Sequence, residues 1–114
     1  MTRTTAERLD DGWVVFTVHH QTPKGVTYEA SLHIHGDDVA PLVDALKAFR
    51  TTGEQGTIAV HSGTLTLFTL YRSLDLRMEL RRLDRKRYGG YRTLHMAPDA
   101  VEGLENTLMD AALG

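Results

Sequence analysis

The chain has 114 residues, 41% of them apolar and 25% charged, and a formal charge of −2. That length predicts one domain, 1–114, with a single modest core. The absence of cysteine excludes disulfides and thiol chemistry, and no apolar run approaches the roughly 18–20 residues that cross a bilayer. The polar start "MTRTTAERLDDG" has no apolar signal core, so a cytoplasmic protein with no membrane partner is expected.

Alternation in "WVVFTVHH" (13–20) predicts a strand with Val14, Phe16 and Val18 facing inward. "TPKG" (22–25) is turn chemistry, and "VTYEASLHIH" (26–35) is a second strand with Val26, Tyr28, Ala30, Leu32 and Ile34 inward. "GDD" opens a helix that Asp37 or Asp38 should cap; Val39, Leu42, Leu46 and Phe49 share one face, and Pro41 falls in the first turn. "TTGEQG" closes it. "TIAVHSGTLTLFTLYR" reads as a hairpin turning at Ser62–Gly63, with an alternation slip between Leu67 and Phe68 that fits a bulge. "LDLRMELRRL" (74–83) is a strand with Leu74, Leu76, Met78 and Leu80 inward. "DRKRYGG" is a charged turn, "YRTLHM" a last strand, and Pro98 starts a closing helix with Val101, Leu104 and Leu108 on its apolar stripe.

One phrase occurs twice. "LHIHGDDVAPLVDAL" (32–46) and "LHMAPDAVEGLENTL" (94–108) share six of fifteen positions at a displacement of 62. The same shift carries Val14, Phe16 and Val18 onto Leu76, Met78 and Leu80. One such unit cannot cover its own apolar face, whereas two sharing a core can. The expected fold is α+β: a mostly antiparallel sheet of about six strands with two helices on one face. It would be built from a duplicated strand–strand–helix unit (13–50 and 75–112), with an extra hairpin at 57–71.

Residues 72–92 hold eight of the thirteen basic residues and three of the fifteen acids, a local balance of +5 against −7 elsewhere. Arg77, Arg81, Arg82, Arg85, Lys86, Arg87 and Arg92, with Tyr88 and Tyr91, form a strand-and-turn surface. Arginine clamps phosphate and tyrosine stacks on bases, so these residues are the candidate partner or nucleic-acid site; a solvated edge hairpin is the plainer alternative. His19, Glu29, His33, Arg77, Glu79, Arg81, Thr93 and His95 are expected on one open polar face. No cofactor or metal is expected, because no carboxylate or cysteine stands at a metal-ligand spacing; were an ion bound, His33, His35 and His95 would be its ligands. His61–Ser62 reads as a turn, and no nucleophile or phosphate-loop frame is present, so the chain is expected to be non-catalytic. Asp37, Asp38, Asp44, Asp99, Glu102, Glu105 and Asp110 are read as solvent-facing helix residues, or as the negative half of a protein interface.

The element order, carried by "YEASLHIHGDDVAPLVDALKAF", "GTIAVHSGTLTLFTLYRSLDLRMEL" and the closing helix, resembles small actinobacterial and phage domains of unknown function, some of which accompany immunity genes of polymorphic-toxin loci. That resemblance implies an immunity factor or phage-encoded regulator with a protein partner, and it carries no residue role. "RYGGYRTLHMAPDAVEGLENTL" is similar in layout to the last hairpin and helix of single-stranded-DNA-binding coactivators of the positive-cofactor type. This implies DNA held by the hairpin and outer sheet face; the chain departs from the pattern in having two helices and no basic N-terminal arm. The expected function is thus a non-catalytic protein-binding module, alone or as a homodimer, with single-stranded nucleic acid as the alternative partner.

Overall fold

A computed structural model describes residues 2–21, 23–70, 74–82 and 91–113, with the backbone alone described at Arg82, Tyr91 and Arg92. The strands are β1 (Thr2–Arg8), β2 (Trp13–Gln21), β3 (Thr27–His35), β4 (Gly56–Val60), β5 (Gly63–Phe68), β6 (Leu76–Arg82) and β7 (Tyr91–Met96). Helices α1 (Val39–Thr52) and α2 (Val101–Leu113) each follow a single 3₁₀ turn. The class is α+β, but the sheet count differs from expectation. Among the described residues, seven strands form two antiparallel sheets, β1-β2-β3 and β4-β5-β6-β7, in place of one sheet of about six.

The additional strand is β1, from the polar start of the chain. Its inward side carries Thr4 and Ala6, and Thr4 Oγ1 lies 3.3 Å from Thr107 Oγ1 on α2. Small side chains suffice there because a helix, and not a second sheet, covers them. The slip at Leu67–Phe68 is no bulge: β5 pairs without interruption from Gly63↔Arg82 to Phe68↔Arg77 and then ends.

The two hairpins keep one register. Val14↔Ile34 and Phe16↔Leu32 in the first become Leu76↔Met96 and Met78↔Leu94 in the second, each displaced by 62. Next to them, β5 occupies in its sheet the place that β1 occupies in the other, and β4 is the strand without a counterpart. The match there is off by one residue: Ala6 faces Phe16, whereas Leu67 and not Phe68 faces Met78.

The helices pack on each other, and each reaches across the molecule. Among the strands, α2 lies closest to β1 and β2 of the first sheet, and α1 to β4 and β5 of the second. Inward rows of both sheets merge with the helix stripes into one core, from Val14, Phe16 and Val18 through Leu42, Leu46, Met78 and Leu94 to Leu104 and Leu108. Gly53 ends α1 in the left-handed region (φ 74°), its amide donating to the Phe49 carbonyl at 2.8 Å.

Two of the acids expected in solvent are buried, Asp38 and Glu105. Glu105 accepts two bonds from Arg50, 2.7 Å from Nε and 3.3 Å from Nη2, which ties α2 to α1. The hydrogen bond to Glu105 raises the Arg50 pKa further above its ordinary value, against the opposing effect of desolvation. Among the described residues no helix is long and apolar enough to cross a membrane.

Candidate functional site

The described surface holds two histidine–carboxylate groupings, at opposite ends of the β2–β3 hairpin. The first forms where β3 runs into the 3₁₀ turn. Cross-strand pairing sets Trp13 opposite His35, and the rings meet edge to face at 5.3 Å. His35 Nδ1 accepts from the Asp37 amide at 3.1 Å, so the cap of the turn is an imidazole and not Asp37 or Asp38. His61, in the two-residue β4–β5 turn, stacks on His35 with centroids 3.9 Å apart and 10° between planes. Asp38 fixes that turn: its Oδ2 accepts from the His61 amide at 2.8 Å and lies 2.9 Å from His61 Nδ1. A carboxylate read as solvent-facing is thus the group that fastens the second sheet to the end of the first. Gly36 keeps the corner tight. Its amide donates to the Gly12 carbonyl at 3.1 Å, and a Cβ at that position would stand 2.6 Å from the same oxygen. Ser62 Oγ is shut off from solvent without a hydrogen-bond partner, while its neighbour His61 turns to Asp38.

The second grouping lies at the hairpin tip. His19 Nδ1 is 3.2 Å from Glu29 Oε2, directly across the strands. His20 Nδ1 lies 2.8 Å from Thr2 Oγ1, and its ring centroid is 6.1 Å from that of His95, whose Nε2 is 2.9 Å from Asp75 Oδ2. Two sequence expectations fail here. Leu74 is not inward but 81% exposed, since β6 starts only at Leu76. Val26 and Tyr28 share the parity of buried Leu32 and Ile34, yet they are 49% and 58% exposed because the hairpin outruns the core.

The residues expected on one polar face divide between the two sheets: His19, Glu29 and His33 on the first, Arg77, Glu79, Arg81, Thr93 and His95 on the second. His33, His35 and His95 are not brought together. His33 is exposed on β3, His35 joins Asp37 and His61, and His95 joins Asp75. Of the basic candidates, Arg81 is exposed on β6; Arg77 is half-buried between Phe68 and His95, its Nε enclosed and without a hydrogen-bond partner. Arg82, Tyr91 and Arg92 belong to β6 and β7 by their backbones, and Arg85, Lys86, Arg87 and Tyr88 lie outside the described residues. Sequence reasoning missed His61 and Asp38, whose meeting is tertiary; the only local signal was a histidine in a tight turn.

The chain matches no protein-family model and no curated protein sequence.

Proposed function

We propose that the chain is a non-catalytic binding module whose partner is another protein, engaged at the open end of the first sheet. One observation carries the reading. The core-facing row of β3 continues past the core, so that Val26 and Tyr28 stand in water on the side that buries Leu32 and Ile34. Leu74, the residue before the carboxylate that holds His95, adds apolar surface near the same tip. An apolar patch with a tyrosine, with His20 opposite Tyr28 and His95–Asp75 beside His20, has the composition of an interface centre with a polar rim. The resemblance to immunity-associated domains points the same way, and the common register of the two hairpins supports the reading of an internal duplication.

Tyr28→Asp tests it. The partner that wild type retains, or a second copy of the chain in light scattering, should be bound about thirtyfold more weakly, the loss of a typical aromatic hot spot. Thermal melting should stay unchanged. A partner or dimer held equally by Tyr28→Asp and by the Val26→Asp/Tyr28→Asp double variant would overturn the proposal.

A second reading is nucleic-acid binding through 77–92. It is favoured by Arg81, exposed on β6, the strand that runs into the basic stretch. It predicts oligonucleotide affinity, read by fluorescence anisotropy, that falls steeply with salt and is lost in the Arg81→Ala/Arg85→Ala variant. Affinity indifferent to that double substitution would remove it.

A further inference from the structure

We infer that His35, Asp37 and His61 form a binding site for a divalent transition-metal ion, with zinc the ion that the donor set fits best. Two imidazoles and a carboxylate are a recurrent three-ligand set for zinc, leaving one position for water or a partner's side chain. The three come from separate elements, the end of β3, the 3₁₀ turn after it and the β4–β5 turn, and the fold brings one donor atom of each to within 4.8 Å of the others.

The distances suit an ion after a small closure. Metal–nitrogen and metal–oxygen bonds near 2.0–2.2 Å at tetrahedral angles put donor atoms roughly 3.3–3.5 Å apart. His35 Nδ1 and Asp37 Oδ2 already stand 3.6 Å apart. The remaining donor needs to move inward by no more than about 1.5 Å. His61 can supply it by tilting its half-exposed ring about the Nδ1 hydrogen bond that Asp38 holds. On binding, His35 exchanges the amide hydrogen bond of Asp37 for the metal, and the His61 ring tilts out of its stack on His35.

Asp38 is the observation that separates this grouping from a chance cluster. It is 7% exposed, and its Oδ2 takes both the His61 amide and Nδ1. With Nδ1 donating to a buried carboxylate, the lone pair of His61 is left on Nε2. This carboxylate–histidine arrangement is the one that orients metal-bound imidazoles. The His95–Asp75 pair lacks a third donor among the described residues, so it offers an internal control.

Trp13, the only tryptophan, sits edge-on to His35 and reports on the site. The test is titration of tag-free protein with ZnCl₂ by calorimetry and with CuCl₂ by tryptophan quenching. One saturable ion per chain is expected. His35→Ala and His61→Asn should each weaken binding by at least tenfold, and Asp38→Asn by about 10–100-fold. His61→Asn is the informative variant: its side-chain amide can still donate to Asp38 and hold the turn, but it offers no nitrogen lone pair to a metal. His33→Ala and His95→Ala should bind as wild type does. Zinc should raise the melting temperature of wild type and leave that of His61→Asn unchanged. Absence of saturable binding, or affinity equal in wild type and His61→Asn, or equal losses in His33→Ala and His61→Asn, would each overturn the assignment.

Discussion

Phe16→Ala is expected to cost about 3–5 kcal/mol, a large part of the stability a domain of this size has to lose. Phe16 is 1% exposed in the middle strand of the first sheet, opposite Ala6 on one side and Leu32 on the other. It also borders a small gap lined by Leu32, Ile34, Val60, Leu65 and Leu80, where the inward rows of the two sheets meet. Truncation would enlarge that gap, and the lining cannot collapse into it freely because its members belong to four strands besides β2. Thermal melting reads the effect as a drop of about 12–20 °C. Tyr28→Ala, on the same side of the same sheet, should shift the melt by less than about 2 °C, since it removes an exposed side chain. Equal shifts in the two variants would mean that the hairpin tip is part of the core and not an open surface.

Most of the core was legible because burial follows periodicity. Val14, Phe16 and Val18, the α1 stripe and the α2 stripe are each inward where alternation or helical spacing puts them. Alternation tells which side of a strand is apolar, but not which strand lies beside it, so the division into two sheets was not readable. For β1 the signal was weak: "TRTTAER" has no large apolar residue to alternate with its polar ones, and only its β-branched threonines hint at a strand. Val26 and Tyr28 show the opposite failure. Their period was right, but the hairpin extends past what the helices and the facing sheet cover, and that boundary is a tertiary property; Leu74 fails for another reason, since it precedes the first residue of β6. His61 and Asp38 are 23 residues apart and meet only because the β4–β5 turn folds over the start of α1.

The ion pair between the helices should show a non-additive result. Glu105 is buried, with only 8% of its side chain exposed, while Arg50 keeps 32%, so the carboxylate has given up more water than the guanidinium. Arg50→Met leaves Glu105 charged, enclosed and deprived of both hydrogen bonds, and the melting temperature should fall by about 5–10 °C. Glu105→Met leaves an arginine that can turn outward into solvent, and it should cost less. The double variant removes the charge and its partner together, and methionines can fill the space between α1 and α2 beside Leu46 and Leu108; it should melt above Arg50→Met. This order follows from the asymmetry of burial and not from the strength of the bond. If the double variant melts at or below the sum of the single losses, the pair is not a desolvated contact whose members depend on each other, and α1 and α2 are held by their apolar stripes alone. The position explains why a glutamate stands there at all. At the displacement of 62 it corresponds to Val43, a partly buried member of the α1 packing surface, so the charge occupies an apolar slot and requires the arginine that α1 supplies.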